Sequence, residues 1–396
     1  MSRFFSFAIT PVALIGLLIA CRADRDVQPA GGPAADCLIK ASANNGQTIA
    51  GAYIVSYPTD PSLPGNPNAR ISAIQTSVDR LLTRHHVADD RAKLLTADAQ
   101  TNFLAHLNAA EAADLQRDPA VSMVEPDRVM SICSCVDVAT SGTLLWNIRQ
   151  TGFGRGDVQT GKTVWIIDTG IDTDHPDLNV DTQRSRSFIT GQPSVEDANG
   201  HGTHVAGIVG AKNNSVGITG VASGAWLVAL KVLNQLGEGR LSGVVQAVSY
   251  VSQNGRAGDV VNLSLGGEGT SATLDQVIRQ AADAGILFAI AAGNEGENSD
   301  DYSPARVNHP NVFTVSAMDR TNLFAPFSNF GASVDVAAYG VRITSTYKDG
   351  KYATLSGTSM AAPHVAGLLL IRGRTLPTRG FVTGDPDGRA DPIAGE

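Results

Sequence analysis

The chain has 396 residues, of which 43% are hydrophobic and 17% are charged. This length is enough for two folded domains, and this composition excludes a disordered chain. The formal net charge of -8, without a basic cluster, indicates a soluble acidic surface and argues against nucleic acid as a partner.

The chain begins with MSRFFSFAITPVALIGLLIAC, a short basic start followed by an apolar run. This pattern predicts a secretory signal peptide at residues 1–20 rather than a membrane span. The end of the run, LIAC, resembles the bacterial lipobox, which implies cleavage before Cys21 and a lipid on its thiol. The protein would then be secreted and held at the cell envelope or surface by lipid alone; the alternative is an ordinary signal peptide with a chance cysteine. Residues 21–48, rich in Ala, Gly, Pro and Asp, are predicted to be a flexible tether.

The cysteines do not indicate a thiol enzyme, because none of them lies in the segments that carry the chemistry below. They are Cys21, Cys37, Cys133 and Cys135. The last two are too close in sequence for an easy bridge to each other. A bridge from Cys37 to either one would join two segments that flank the next domain, and the sequence leaves this open.

Residues 49–135 are predicted to form a small domain with the order strand, helix, strand, helix, strand. GAYIVSY and TNFLAHL are rich in β-forming residues, whereas ISAIQTSVDRLLTRH has apolar residues at helical spacing. NAAEAADLQRDP predicts a second helix, capped by Asn108 and ended by Pro119, and VSMVEPDRVMSI predicts a strand broken at Pro126. The domain holds no convincing catalytic group, and its histidines are interpreted as solvated side chains: His85, His86 and His106.

Residues 140–396 are predicted to form an α/β domain with a mostly parallel sheet and helices on both faces. Short apolar runs such as TVWIID, WLVALKVL, ILFAIAAGN and VFTVSAMD alternate with helical stretches, which is typical of buried parallel strands. Ligand-binding residues of such sheets gather beyond the carboxyl ends of the strands. The polar residues of interest all lie at such positions.

Several segments place complementary chemistry at predicted strand or helix ends. Asp168 ends the strand in VWIIDTGID, where a buried carboxylate must be paired or hydrogen-bonded. His201 lies in NGHGTHVAG, and Ser359 precedes a helix-forming run in SGTSMAAPHVAG. A serine becomes a nucleophile when an imidazole takes its proton, and a carboxylate on the other ring nitrogen selects the required tautomer. Asn294 in AAGNEG offers an amide for a developing oxyanion.

Other interpretations of these segments are less well supported. His201 and His204 have the spacing of a zinc pair on a helix, but no Asp or Glu lies within that short helix to complete a metalloprotease motif. His364 is close to Ser359 in sequence and could form a local dyad. His204 and His364 are instead interpreted as packing or hydrogen-bonding residues of their helices. Two nearby hydroxyl residues are interpreted as turn-forming: Ser356 and Thr358.

Five segments, IIDTGID, HGTHVAG, NLSLGG, AAGNEG and SGTSMAAPHVAG, resemble those of subtilisin-like serine proteases and occur in the same order. The resemblance runs from about Trp146 past Val365. It implies hydrolysis of proteins or peptides through an acyl-enzyme intermediate. It also implies four roles: Asp168 as the orienting acid, His201 as the general base and acid, Ser359 as the nucleophile and Asn294 as the oxyanion donor.

The segment NFLAHLNAAEAADLQRDPAVSMVEPDRVM resembles the inhibitory propeptides that precede subtilisin-like catalytic domains. This resemblance implies a ferredoxin-like shape for residues 49–135, which would assist folding and cover the cleft as an intramolecular inhibitor. The implied cleavage lies between about Val129 and Thr140. The alternative is a permanent accessory domain.

The resemblance to the catalytic domains also implies a substrate cleft. One wall of the primary specificity pocket would be formed by Ser264, Leu265 and Gly266, and the other wall by Ala291, Ala292 and Gly293. An extended strand would pair with the substrate backbone: Gly237, Glu238 and Gly239. The expected preference is broad, for large apolar residues, and an exposed Glu295 near the pocket mouth would tolerate a basic one.

The segments HPDL and AKNNSVGI resemble a calcium site of the same family. The resemblance implies structural Ca²⁺ bound by the side chains of Asp177 and Asn214 and the carbonyls of Lys212, Val216 and Ile218, and oxygen-only ligation suits calcium. A further ligand near the mature N-terminus has no clear match, and the alternative is an Asn-rich surface turn. No organic cofactor is expected.

The sequence therefore predicts a secreted, lipid-anchored serine endopeptidase made with an inhibitory propeptide. A hypothesis of another class is a catalytically silent surface lipoprotein that binds peptides in the same cleft, which the four active residue types disfavour. The tail after Ala366, rich in Gly, Pro and Asp, is expected to be a short surface wrap. The alternative for the tail is a second cation site at Asp385, Asp387 and Asp391.

Overall fold

This computed structural model describes residues 44–396 apart from positions 65, 133, 134, 139–143 and 155–159. The predicted signal peptide and Cys21 lie outside the described residues, as do Cys37 and Cys133. No helix in the described ranges is both long enough and apolar enough to cross a membrane.

The N-terminal part of the described chain folds as an antiparallel sheet with two helices. Its elements are β1 (Thr48–Pro58), α1 (Pro67–Arg84), β2 (Ala92–Ala97), β3 (Gln100–His106), α2 (Ala109–Gln116) and β4 (Met123–Ser131). The strand order is β4-β1-β3-β2, and each neighbouring pair is antiparallel. The order βαββαβ with this sheet is a ferredoxin-like arrangement. Its own apolar cluster includes Val55, Leu82, Phe103 and Leu115.

Capping residues determine where both helices of this part begin. The Asn66 side chain accepts two N–H groups of the first turn of α1, and Pro67 takes the first helical position. As a result, α1 begins before the helical run that the sequence pattern predicts from Ile71. Asn108 caps α2, as predicted, and forms a capping box with Glu111.

Two strand predictions for this part are wrong. The sequence pattern does not indicate β2, because its run AKLLTA is short and does not alternate regularly between apolar and polar residues. In the structure this strand is only partly buried. The predicted break at Pro126 is also absent, since β4 continues through this residue. Instead, the pairing of β1 with β4 shifts register between the pairs Tyr53↔Pro126 and Thr48↔Arg128. The additional residues of this shift lie in β1, between Thr48 and Tyr53, and Pro126 stands at its edge without ending β4.

The histidines of this part differ from the expectation at one position. His86 and His106 are exposed, as expected. His85 is not solvated, because its Nδ1 lies 2.5 Å from Asp114 Oδ2 and its Nε2 lies 2.8 Å from Asp118 Oδ2. Both carboxylates accept hydrogen bonds from the ring and raise the pKa of His85. This contact joins the end of α1 to α2.

The second part of the chain contains the remaining strands and helices. The strands are β5 (Cys135–Val138), β6 (Thr163–Asp168), β7 (Asn179–Val180), β8 (Arg186–Ser187), β9 (Trp226–Lys231), β10 (Glu238–Arg240), β11 (Val260–Leu263), β12 (Gly267–Glu268), β13 (Leu287–Ala291), β14 (Tyr302–Ser303), β15 (Val312–Met318), β16 (Val336–Tyr339), β17 (Ile343–Tyr347), β18 (Lys351–Ser356), β19 (Thr378–Phe381) and β20 (Pro392–Ala394). The helices are α3 (Trp146–Gln150), α4 (His201–Gly210), α5 (Leu241–Asn254), α6 (Ala272–Asp283) and α7 (Thr358–Arg372).

The large sheet of the described chain confirms the predicted mostly parallel α/β architecture. Its order is β19-β20-β16-β15-β13-β11-β6-β9-β7, with β8 also paired to β9. All of these pairs are parallel except β19 with β20. The helices form two groups, α4 against α7 and α5 against α6. The central strands β6, β11 and β13 are buried along their whole length, as their continuous apolar runs predict.

The register of the central strands positions the candidate site. Asp168, the last residue of β6, pairs with Lys231, the last residue of β9. The last residue of β11, Leu263, pairs with Ile167 of β6. Because parallel strands run in one direction, the residues that follow these ends lie at the same edge of the sheet.

The C-terminal tail is more than the surface wrap that its composition predicts. β20 extends the edge of the large sheet through its pair Ala337↔Ile393, and β19 continues the sheet beyond it. Asp391 is buried, and its Oδ2 accepts a hydrogen bond of 2.6 Å from Ser316 Oγ of β15. Buried backbone pairing, rather than local apolar periodicity, therefore holds this Gly- and Pro-rich segment in place.

Candidate active site

Asp168 and His201 form a buried pair at the carboxyl edge of the large sheet. His201 Nδ1 lies 2.8 Å from Asp168 Oδ1 and 3.0 Å from its Oδ2. Both side chains are fully buried. The carboxylate also accepts a 2.7 Å hydrogen bond from the N–H of Thr169. Since a carboxylate accepts, Nδ1 carries the proton and Nε2 has the lone pair. His201 Nε2 has no hydrogen-bond partner among the described residues.

The close approach of α4 to the end of β6 depends on a glycine. A Cβ on Gly202 would lie 2.1 Å from the carbonyl oxygen of Gly170 and 3.1 Å from the Asp168 Cβ. Any larger residue would push the first turn of α4 away from the strand. Gly202 thus lets His201, the first residue of the helix, reach the carboxylate.

Ser359 lies in the first turn of α7, where helix N–H groups and the positive end of the helix dipole are available. Its Oγ donates a 3.1 Å hydrogen bond to the carbonyl of Ser264, and Ser264 Oγ donates to the Ser359 carbonyl at 2.9 Å. Ser359 is therefore held beside the end of β11. Its hydroxyl is not hydrogen-bonded to His201 in this structure.

Asn294 lies beside the same helix end. Its Oδ1 accepts the N–H of Thr358 at 2.8 Å and the hydroxyl of Thr358 at 3.0 Å. This orientation keeps the carbonyl side of the amide occupied and leaves its two N–H groups available to another acceptor. Asn294 and Ser359 line one pocket.

That pocket also contains both walls that the sequence resemblance implies. Its lining includes Ser264, Leu265, Gly266, Ala291, Ala292 and Gly293. Residues 302–305 and Glu295 complete it on other sides. Glu295 is half-buried rather than exposed, which corrects the sequence expectation. Its Oε2 accepts hydrogen bonds from the Asn294 N–H at 2.8 Å and from Asn329 Nδ2 at 2.9 Å, and burial raises its pKa.

The end of β4 lies in the cleft beside this pocket. It pairs antiparallel with β10, in the register Glu238↔Ser131, Gly239↔Met130 and Arg240↔Val129. On its other side, the N–H of Ser131 donates to the Gly266 carbonyl at 3.2 Å. The next residue, Ile132, donates its N–H to the Gly237 carbonyl at 3.2 Å. The N-terminal part of the chain therefore occupies the position expected for an extended peptide between β10 and the pocket wall.

The residues of the implied calcium site lie near one another at the end of α4. Asp177 is fully buried, and its Oδ2 accepts the N–H of Ile218 at 2.9 Å. Its Oδ1 is buried without a hydrogen-bond partner among the described residues, which suits a cation ligand. Asn214 Oδ1 accepts the N–H of Val216 at 3.0 Å, and Lys212 donates its N–H to the Asp177 carbonyl at 2.8 Å. Burial raises the pKa of Asp177.

The other histidines near the site have structural hydrogen bonds, as predicted. His204 Nε2 donates to the carbonyls of Ile343 and Ala353 at 3.0 and 3.1 Å, so this nitrogen is not available to a metal shared with His201. His364 Nδ1 donates to the Met360 carbonyl at 2.8 Å. Burial lowers the pKa of His204 to about 3 and that of His364 to about 4, so both rings are neutral near pH 7.

Sequence reasoning missed Asp197, which organises the start of α4. Its Oδ1 accepts the N–H of Gly200 at 2.8 Å and the hydroxyl of Thr169 at 2.8 Å. Its Oδ2 accepts the N–H and the hydroxyl of Thr203 at 2.9 and 2.7 Å. A carboxylate just before a helix start is a recognisable capping signal, and DANGHGTH contains it. Asn45, which also lines the pocket, has no comparable signal in the sequence.

The carboxyl edge of the sheet thus carries Asp168 hydrogen-bonded to His201, Ser359 at a helix start, and the amide of Asn294 held by its carbonyl oxygen. This combination of fold and side chains defines the subtilisin-like class of α/β proteins. A model of the subtilase family matches residues 159–372, and the chain belongs to this family.

Individual relatives agree with this assignment. The chain is 44% identical over 258 residues to an alkaline protease of Alkalihalobacillus alcalophilus, covering 64% of this chain and 64% of that protein. It is 48% identical over 213 residues to subtilisin BL of Lederbergia lenta, covering 54% and 76%. A solved structure of a cold adapted subtilisin-like serine proteinase shares 33% identity and a TM-score of 0.55, covering 63% of this chain and 97% of that chain. This chain therefore matches about two thirds or less of the length of several relatives.

Proposed function

We propose that this chain is a serine endopeptidase that hydrolyses peptide bonds through an acyl-enzyme on Ser359. The observation that carries the proposal is the Asp168–His201 hydrogen bond, which leaves the opposite ring nitrogen of His201 without a partner among the described residues. A ring nitrogen with an unoccupied lone pair is what a general base requires in order to take the proton of a serine hydroxyl.

In the proposed mechanism, His201 Nε2 takes the proton of Ser359 as Oγ attacks the substrate carbonyl carbon. Ser359 Oγ first turns about its χ1 angle away from the Ser264 carbonyl, its acceptor in this structure. The protonated imidazole then donates to the leaving amine as the C–N bond breaks, which leaves an ester on Ser359. Water, deprotonated by His201, cleaves the ester, and the proton returns to Ser359.

The oxyanion of each tetrahedral intermediate would be held by the Asn294 amide and by backbone N–H groups at the start of α7. The Asn294 orientation supports this role, because Thr358 occupies the carbonyl oxygen of the amide and not its N–H groups. Donors oriented before the reaction stabilise the transition state without reorganising during it.

Substrates would be proteins or peptides bound as an extended strand between β10 and residues 264–266. The antiparallel pairing of β4 with β10 supports this binding mode. The pocket would accept large apolar residues with broad preference, as its apolar walls suggest. A panel of peptides that differ only at the residue before the cleaved bond tests this preference, and cleavage only after Asp or Glu would contradict it.

A fluorophosphonate probe, which reacts with activated serines, separates this proposal from a silent peptide-binding lipoprotein. The processed wild-type protein should be labelled at Ser359, and the Ser359→Ala protein should not. Ser252→Ala is a matched control, since this hydroxyl donates only to the Val248 carbonyl of its own helix. No labelling of either protein would support the silent binding protein, and equal labelling of wild type and Ser359→Ala would contradict the assignment of Ser359 as the nucleophile.

The N-terminal part would act as an inhibitory propeptide that assists folding. Its strand β4 supports this role by pairing with β10, where a substrate would bind. Since Ser131 and Ile132 line the same pocket as Ser359, self-cleavage is expected shortly after Ile132. Mass spectrometry of the mature protein should therefore find an N-terminus between Cys133 and Thr140. An unprocessed mature protein would identify a permanent accessory domain instead.

The protein would be secreted, and before processing it would be attached to the cell envelope or surface through lipid on Cys21. The basic and apolar start of the chain and the sequence LIAC support this localisation. Mass analysis of the unprocessed Ser359→Ala protein from its membrane fraction tests it. A diacylglyceryl mass on the peptide that begins with Cys21 is expected, whereas a free thiol there would indicate an ordinary secretory signal.

A structural Ca²⁺ would be held by Asp177 and Asn214 side chains and by the carbonyls of Lys212, Val216 and Ile218. The unpartnered Asp177 Oδ1 supports this site, and the ion would stabilise the fold without entering the reaction.

Removing calcium is expected to lower the melting temperature, because a ligand that binds only the folded state stabilises it. A chelator should lower the Tm of the Ser359→Ala protein by roughly 5–10 °C, and added Ca²⁺ should restore it. Asp177→Asn should abolish this dependence, whereas Asp181→Asn, at a half-buried carboxylate paired with Arg184, should retain it. A Tm that changes with neither chelator nor Ca²⁺ would contradict the calcium site and would support the alternative, an Asn-rich surface turn.

A further inference from the structure

Lys231 is a buried lysine that the proposed reaction does not use. It is the last residue of β9, and only 4% of its surface is exposed. Burying an ammonium group costs free energy unless hydrogen bonds and opposite charges compensate it. Burial lowers the pKa of Lys231. An apolar residue would fill this end of a buried strand without the free-energy cost of removing an ammonium group from water. The presence of a lysine here therefore indicates a role for its charge.

The lysine contacts the turn that follows the candidate acid. Its Nζ donates a hydrogen bond to the carbonyl of Thr169. The N–H of Thr169 donates to Asp168 at 2.7 Å, and its hydroxyl donates to Asp197 at 2.8 Å. Thr169 Oγ1 also accepts the N–H of Gly202 at 2.9 Å. Lys231 is therefore linked through one residue to the acid and to the first turn of the helix that carries the imidazole.

More negative than positive groups lie around Lys231. Asp168 and Asp197 are both buried, at 0% and 6% exposed, and Glu196 is a third, exposed carboxylate near the lysine. The Asp197 carboxylate accepts only neutral N–H and O–H donors in its described hydrogen bonds. Lys231 therefore supplies a buried positive charge to this group of carboxylates. Interactions between buried charges are screened far less by water and salt than those at the surface.

We propose that Lys231 is a positioning residue for the reaction at Ser359: its ammonium group holds the Thr169 turn, and its charge offsets the buried carboxylates of Asp168 and Asp197. This inference rests on the proposed hydrolase function. Without the positive charge, Asp168 and Asp197 would stabilise the imidazolium form of His201 more strongly. The general base would then be protonated, and inactive, at pH values where the wild type still works.

The test is the pH profile of kcat/KM for a chromogenic peptide, measured on the processed enzymes. We expect Lys231→Met to move the acid limb of the profile to higher pH and to lower kcat/KM at pH 7 by about tenfold. Lys231→Gln, neutral but still able to donate a hydrogen bond, should move it in the same direction. Lys231→Arg, which keeps the charge, should retain the wild-type acid limb. A variant that fails to process itself can be cleaved with a trace of wild-type enzyme.

Lys348→Met is the matched control. The Lys348 ammonium donates at 2.6 Å to the carbonyl of Ala198, close to the start of α4, but this residue is only half-buried and the hydrogen bond is open to solvent. Water screens its charge, so the acid limb should not move. An acid limb that is the same in Lys231→Met and in wild type, or one that moves equally in Lys348→Met, would overturn the proposal. A Lys231→Met variant that changes only in KM or only in Tm, with an unchanged acid limb, would also overturn the proposal.

A spectroscopic readout separates this inference from the proposed function. The proton on His201 Nδ1, held between the imidazole and Asp168, should give a low-field resonance in the proton NMR spectrum of the processed enzyme. The pH at which this resonance shifts should rise in Lys231→Met and stay unchanged in Lys348→Met. If the wild type cleaves no peptide, the hydrolase proposal fails; if it cleaves and Lys231→Met titrates as wild type does, only the role of Lys231 fails.

Discussion

Replacing Ser359 with alanine is expected to abolish almost all peptide hydrolysis. We expect kcat to fall by about 10⁶-fold, the size of the loss known for removal of the triad serine in a subtilisin. The reason is that the alanine variant has no oxygen to form the acyl-enzyme, and the remaining rate depends only on binding and oxyanion donors. KM should change little, since the Ser359 hydroxyl is a small part of the pocket lining.

The same variant should fail to cut its own chain. Its purified form should therefore retain the N-terminal part, with β4 still paired to β10. Initial rates on a chromogenic peptide and the mass of the purified chain measure both effects. Ser252→Ala, on the side of α5, should process itself and keep the wild-type kcat. Normal removal of the N-terminal part from Ser359→Ala would mean that another protease cleaves the chain.

The second large effect is expected for Asp168→Asn. An amide N–H in place of the carboxylate would donate to His201 Nδ1, which would move the ring proton to Nε2. The imidazole could then no longer accept the Ser359 proton, and kcat should fall by about 10⁴-fold while KM stays nearly constant. Steady-state kinetics on the processed variant measure this loss.

Asp259→Asn is the matched control for this prediction. Asp259 is also a buried carboxylate, and it accepts hydrogen bonds from the N–H of Thr163 at 3.0 Å and from Trp165 Nε1 at 3.1 Å. It lies before β11, at the opposite edge of the sheet from Asp168. Its replacement should lower the Tm and leave the kcat of the folded protein unchanged. A similar loss of kcat in both variants would indicate general disruption of the sheet rather than loss of the correct tautomer.

Local sequence patterns were sufficient where short-range physics decides the outcome. The apolar runs of β6, β11 and β13 predict buried parallel strands, and the structure buries every residue in them. Asn108 predicts the start of α2 because a cap depends on residues only two or three positions away. The sequence pattern did not predict β2 and β20, because these short runs are stabilised by pairing with other strands, β3 and β16, rather than by a periodicity of their own.

By itself, the sequence determined the residue types of the site and their places at strand and helix ends. Residue spacing alone left open which imidazole belongs to which acid and hydroxyl, and the resemblance to a known family was needed to assign His201. His364 is five residues from Ser359, yet its ring donates back to Met360 within the helix. His201 meets an acid 33 residues away in the chain, and Ser359 is held by Ser264, 95 residues away.

Only the tertiary structure decided that Asp197 and Lys231 belong to the surroundings of the acid and the imidazole. From sequence, a lysine at the end of an apolar run indicates a side chain whose ammonium group extends into solvent. Here the parallel pairing Asp168↔Lys231 places it in the interior beside two carboxylates. Side chains separated by many residues meet only when the whole sheet and its helices pack, so no local pattern records their contact.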